Sequence, residues 1–213
     1  MSGRETFGRQ IVRRASYIVV SGALVLCATL VQAVEYHVDT TLPRTVKFIS
    51  EAPLENFEGV TSRIDGYSMI PLGSLPLGKG YDNSRFYFEV DLNALDTGIG
   101  LRNRHMRENY LETDQYPFAQ YVGRVSEVSQ GQDTSLLIST MGEFTIHGVK
   151  RAMAGTITAV KERDRYHVRT QFPVALPDHK IKVPKLMFMK ISDTVQVQLD
   201  FYLLPITNSG EGR

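Results

Sequence analysis

Apolar and polar residues alternate along much of the chain with a period of two. The clearest run interleaves Phe86, Phe88, Val90 and Leu92 with Arg85, Tyr87, Glu89 and Asp91, and another interleaves Val195, Val197, Leu199 and Phe201 with Gln196, Gln198, Asp200 and Tyr202. A third sets Tyr166, Val168, Thr170, Phe172 and Val174 against Arg165, His167, Arg169, Gln171 and Pro173. Such alternation marks a strand with one apolar and one wet face, and it predicts antiparallel sheet. Further strands are predicted over 36–41, 45–50, 59–69, 118–128, 135–141 and 151–160. Gly78-Lys79-Gly80, Ser129-Gln130-Gly131 and Glu162-Arg163-Asp164 supply turns between several of them.

Residues 101–111 depart from this pattern. They lack β-branched side chains and are rich in Arg, Asn, Glu, Met and Leu, which predicts one short helix, although its amphipathic period is weak. A single helix cannot cover the apolar face of so many strands. Closure into an up-and-down barrel of about eight strands turns every apolar face toward one interior, which at that size is either filled or holds one ligand. Ser50, Ala119, Gly123, Thr140 and Thr170 are small or polar inward positions that favour a cavity, whereas Phe48, Phe86, Phe88, Phe144 and Phe172 favour a filled core. The pattern leaves both open.

The start of the chain reads differently. Arg4, Arg9, Arg13 and Arg14 precede an apolar run over 17–31 and the small exit Val31-Gln32-Ala33, the order of a secretory signal. Cleavage near Ala33 by the general secretory route and residence in the periplasm are expected. The apolar run falls short of the roughly 20 residues that span a bilayer, and Leu26 before Cys27 does not fit a lipid-attachment signal. The expected division is a leader over 1–33, one barrel domain over 34–206 and a polar tail over 207–213. About 180 residues suffice for one core and are too few for two typical domains.

Charge and composition narrow the function. The leader's four arginines outweigh Glu5, so its removal takes the net charge from +1 to about −2, unlike a nucleic-acid binder. Cys27, the sole cysteine, leaves with it, so the remaining chain has no disulfide, thiolate nucleophile or cysteine metal site. His37, His147, His167 and His179 lack the mutual spacing of metal ligands, and no metal site is assigned. Asp91 with Asp96, or Glu108 with Glu112, could pair as acid and base, but no nucleophile or oxyanion motif accompanies them, and no catalytic residue is assigned.

The inward apolar set is the candidate binding surface: Phe48, Phe86, Phe88, Val90, Tyr121, Phe144, Ile146, Phe172, Val174, Val197, Leu199 and Phe201. Together they can line a tunnel for a long apolar chain, in which each buried methylene contributes about 0.8 kcal/mol.

Three segments carry a family resemblance. The first runs from Asp91-Leu92-Asn93-Ala94-Leu95-Asp96-Thr97-Gly98 through Leu101-Arg102-Asn103-Arg104-His105-Met106 to Tyr116-Pro117-Phe118. The second is Gly142-Glu143-Phe144-Thr145-Ile146-His147-Gly148-Val149-Lys150. The third joins Phe172-Pro173-Val174, Asp178-His179-Lys180-Ile181, Val183-Pro184 and Ile191-Ser192-Asp193-Thr194-Val195. In this order they resemble the YceI-like proteins, exported lipocalin-like barrels that bind polyisoprenoids or other long-chain amphiphiles. Asp39-Thr40-Thr41 and His179-Lys180-Ile181 depart from the family pattern in connecting segments, which leaves the ligand open.

The resemblance implies a non-catalytic carrier of a small apolar or amphiphilic lipid, with an isoprenoid quinone or polyprenol as bound ligand and no required cofactor. Arg102, Asn103 and His105, in the matching helix start, would either meet a head group or lock the helix over one barrel end. Transient membrane contact and a homodimer are both open. Two alternatives stand beside the carrier: an envelope enzyme using His105 with Asp96 or Glu108, and an interaction module with a filled core that presents Tyr87, His167 and Tyr202.

Overall fold

The alternating runs fold as strands whose apolar faces close around one axis. The structure, a computed structural model, describes residues 33–51, 56–70, 75–183, 185–186, 189–190 and 192–206. The leader read over 1–33, apart from Ala33, and the tail 207–213 lie outside the described residues. In chain order the elements are β1 (Val34–Val38), β2 (Thr45–Ser50), β3 (Phe57–Thr61), β4 (Ile64–Ile70) and β5 (Arg85–Asp91). Then come α1 (Gly100–His105), which continues as a π-helical segment (Met106–Leu111), and the long strands β6 (Phe118–Gln130), β7 (Ser135–Ile146), β8 (Val149–Glu162) and β9 (Arg165–Ala175). A small hairpin of β10 (Lys185–Leu186) and β11 (Met189–Lys190) precedes the last strand, β12 (Thr194–Pro205).

Strands β1-β4-β5-β6-β7-β8-β9-β12 neighbour one another in that order, and β12 pairs back onto β1, closing an antiparallel eight-stranded barrel with a single short helix. The two other strands of this sheet, β2 and β3, complete the wall. β1 and β2 both pair with β12, β1 against Leu203, Leu204 and Pro205 and β2 against the stretch from Val195 to Asp200. The chain therefore jogs over 39–44 while staying on the same edge of β12, and β3 lies beside β2 as β4 lies beside β1.

Two predicted strands are shorter or broken for local reasons. The strand expected over 36–41 ends at Val38 because the Asp39 carboxylate accepts hydrogen bonds from the Thr41 amide at 2.9 Å and the Thr41 hydroxyl at 2.6 Å, an Asx turn. The strand expected over 59–69 divides into β3 and β4, and at the break the Thr61 hydroxyl oxygen accepts from the Arg63 amide at 3.0 Å. Between β7 and β8, His147 and Gly148 both take positive φ, 53° and 70°, as a two-residue hairpin loop requires.

The interior has two layers. Away from the helix it is filled: Tyr36, Tyr81, Tyr166 and Phe201 pack with Val128 and Ile138, and the rings of Tyr36 and Tyr166 meet edge-on at 5.5 Å. Burial pushes the Tyr36 and Tyr166 phenols upward, so these hydroxyls stay neutral. At the other end Leu92, Leu95, Leu111, Leu176 and Ile181 form a second apolar cluster under the helix.

Candidate ligand cavity

Between the filled layer and the helix lies a cavity of about 690 Å³, within the roughly 300–1,000 Å³ common for small-molecule sites. Strand side chains form its wall: Phe48 from β2, Phe88 and Val90 from β5, Ala119 and Tyr121 from β6, Phe144 and Ile146 from β7, Phe172 and Val174 from β9, and Val197 and Leu199 from β12. The helical segment roofs it. Its lining residues come in pairs, Leu101 with Arg102, His105 with Met106, and Tyr110 with Leu111. The step between pairs widens from four residues to five where α-helix gives way to π-helix, and this wider turn keeps Tyr110 and Leu111 over the cavity. At the rim Ile99 and Leu101 are each more than half exposed.

Small residues opposite large rings keep the space open. Phe48 faces Gly59 across the β2–β3 pair, and a Cβ on Gly59 would lie 2.2 Å from Phe48 Cε1, so the ring lies over the glycine instead of crossing the lumen. Phe88 sits over Gly66 in the same way, with a would-be Cβ 2.7 Å from its Cδ1. Gly66 also takes a φ of 143°, which suits glycine alone.

Of the twelve inward residues, Phe48, Phe88, Val90, Tyr121, Phe144, Ile146, Phe172, Val174, Val197 and Leu199 border the cavity, and Phe86 and Phe201 do not. Phe86 lies behind Tyr121, with ring centroids 4.9 Å apart, and Phe201 behind Phe88 at 5.5 Å. Both face inward as the alternation implies, but at the level of the filled layer, where they support the cavity floor. Leu92, the last apolar residue of the first alternating run, borders the cavity too, as do Leu95 and the roof residues, which no inward alternation marks.

The three polar residues of the helix start are placed differently from one another. Asn103 is not on the cavity wall. Its Oδ1 accepts from the Thr97 amide at 2.8 Å and the Thr97 hydroxyl at 2.6 Å, while its Nδ2 donates to Asp96 Oδ1 at 2.7 Å. Arg102 donates through Nε to Thr97 Oγ1 at 3.0 Å and through Nη2 to the Thr97 carbonyl at 2.8 Å, and its guanidinium lies 5.0 Å from the Phe57 ring centroid. Arg102 and His105 both border the cavity. Asn103 and the Gly98 amide hold the Asp96 carboxyl below the usual carboxylate range, and both bond Oδ1.

Polar chemistry inside the cavity is sparse. The Tyr121 hydroxyl pairs with Thr140 Oγ1 at 3.0 Å and donates to the Met153 carbonyl at 3.2 Å. Burial pushes this phenol upward, with the Thr140 hydrogen bond opposing the shift. Among the described residues no group of three His, Cys, Asp or Glu side chains gathers to hold a metal ion. The outward residues of the interaction-module alternative are engaged locally: His167 Nε2 lies 2.6 Å from Asp200 Oδ1, its ring stacks on Tyr202 at 4.3 Å, and Tyr87 donates to Glu89.

Two of the solved structures that match resemble this one over most of its length. BcnA from Burkholderia cenocepacia superposes with a TM-score of 0.62 at 14% identity, covering 78% of this chain and 98% of its own. A polyisoprenoid binding domain from Saccharophagus degradans, implicated in plant cell wall breakdown, does so with a TM-score of 0.62 at 18% identity, covering 81% of this chain and 98% of its own. At these identities the likeness establishes the fold. A search of curated proteins finds no match to the chain. The family model of the YceI-like domain matches residues 36–203, and the chain belongs to the YceI-like family.

Proposed function

We propose that this protein is a non-catalytic carrier that holds a long-chain apolar or amphiphilic lipid, a polyisoprenoid or the tail of an isoprenoid quinone, inside the barrel. The cavity of about 690 Å³ under the helix carries this reading, because its wall is built of aromatic and aliphatic side chains. An isoprene unit has five carbons, so its full burial contributes about 4 kcal/mol at about 0.8 per carbon. Association itself costs roughly 4–15 kcal/mol, so about one to four buried units offset it with few polar contacts. Family membership and the Saccharophagus domain described as polyisoprenoid binding support the same ligand class. The basic, apolar and small order of residues 4–33 supports export to the periplasm.

Native mass spectrometry after mild purification tests the proposal. The expected result is a mass addition matching an isoprenoid, or uptake of added polyprenol or quinone by the empty protein. A folded protein that is always empty and takes up neither overturns it.

A further inference from the structure

Ser50 is the last residue of β2 and borders the cavity. It is fully buried, at 0% exposure, and its hydroxyl has no hydrogen-bond partner. Among the described residues it is the one buried side-chain polar atom on the cavity border left unpaired, since Arg44, Arg107 and His147, the other residues with such atoms, do not border the cavity. The Tyr121 hydroxyl, by contrast, is already occupied by Thr140 and Met153. A hydroxyl left unpaired in an apolar interior is unfavourable, and a bound partner that completes it recovers that loss.

The surroundings define which partner fits. Ser50 stands opposite Val195 on one side and Phe57 on the other, with Val174 one strand further on. These strand neighbours are apolar, so at Ser50 a ligand meets one neutral donor, whereas a charged group would be drawn to the cations Lys47, Arg102 and Lys182 that also border the cavity, and burying an unpaired charge is far costlier than burying a neutral polar group. Ser50 itself therefore suits an uncharged oxygen. We propose that Ser50 is a specificity residue that donates a hydrogen bond to a single uncharged oxygen, an alcohol or carbonyl at the head of the isoprenoid chain, and so selects oxygenated isoprenoids over hydrocarbons. The head then lies at the helix end of the barrel, beside the Phe57 ring that Arg102 covers, and the tail runs toward Phe88 and Tyr121 at the floor.

This rests on the carrier reading, and the test separates the two. Binding of geranylgeraniol and of the hydrocarbon with the same skeleton but no hydroxyl is measured on the full protein and on Ser50→Ala and Ser50→Thr. The wild type is expected to favour the alcohol by about tenfold, equivalent to about 1.4 kcal/mol. Ser50→Ala is expected to bind both probes equally, with its affinity for the hydrocarbon unchanged, and Ser50→Thr to keep the preference. A wild type that binds both equally, or an alanine variant that keeps the tenfold preference, overturns the role of Ser50 and leaves the carrier standing. Failure of the folded wild type to bind either probe overturns the carrier reading and the Ser50 proposal with it.

Discussion

The carboxylate of Asp39 and the guanidinium of Arg165 meet at 2.8 Å although 126 residues separate them. Between them runs β12, which pairs with β1 on one side and β9 on the other. The pair thus clips together the strands on either side of the one that closes the barrel. The Asp39 side chain is 2% exposed and that of Arg165 27%, so the contact is only partly screened by water.

Asp39→Asn should lower stability at pH 7 by about 2 kcal/mol, since it keeps an acceptor for Thr41 but leaves Arg165 only the exposed Asp164 carboxylate, at 3.3 Å, as a counter-charge. The Thr41 hydroxyl and amide, with Arg165 and Arg44, hold the Asp39 carboxyl below its usual range despite burial that pushes it up. A lowered folded-state pKa means that this stabilisation is present above the unfolded value of about 3.9 and is lost as pH falls through the folded one. Urea unfolding of both proteins at pH 7 and pH 3 should show the gap shrinking in acid. A gap of equal size at both pH values contradicts this account.

Gly59→Ala should reduce ligand capacity. The new methyl would stand 2.2 Å from Phe48 Cε1, and the flexible ring can escape only by rotating away from the wall into the lumen. Affinity for a long polyprenol should fall by about tenfold or more, and that for a short one much less. Binding isotherms for a chain-length series check this, and a uniform change along the series would point to a different cause.

Ala119→Leu should separate stability from binding. Ala119 is 9% exposed and borders the cavity opposite Val90, so added methylenes project into empty space. Filling it should leave the thermal midpoint unchanged or raise it, in line with the gain of about 0.5–2 kcal/mol that cavity filling commonly gives, while lipid uptake drops. A calorimetric scan paired with native mass spectrometry reads both, and undiminished uptake would contradict the cavity assignment.

Asn103→Ala should loosen the roof. It removes the acceptor of the Thr97 amide and hydroxyl and the donor to Asp96, for a loss of about 1–3 kcal/mol. Hydrogen exchange at the Thr97 amide should speed up, and bound ligand should leave faster with little change in which ligand binds. Slow exchange at Thr97 in the variant would show that the turn is held elsewhere.

Strand positions were legible because alternation states which face of each strand is buried: the run from Phe86 to Leu92 and that from Val195 to Tyr202 lie in β5 and β12, with Leu92 just past the end of β5. The height of a residue inside the barrel was not legible. Phe86 and Phe88 share a face and differ by one step along the axis, yet Phe88 borders the cavity and Phe86 supports its floor. That difference depends on what each meets across the lumen, which the local pattern does not contain. The helix had a weak 3.6-residue period for a definite reason, since its second half is π-helical and its cavity-facing pairs are spaced by a wider turn. Ser50 was visible as a small inward residue, but its lack of a partner became visible only once β3 and β12 were placed beside β2.

The strand that completes the barrel is β12, and it touches β1 and β2 from the beginning of the fold as well as β9. Until its residues arrive, the growing chain has an open sheet with exposed edges and no enclosed volume. Contacts between such distant parts of a chain form late and slowly in folding. Only a chain that includes β12 encloses the cavity, so on the carrier reading proposed above cargo would be taken up by finished molecules rather than folded in during synthesis, and a product truncated before Thr194 would aggregate through its uncovered strands.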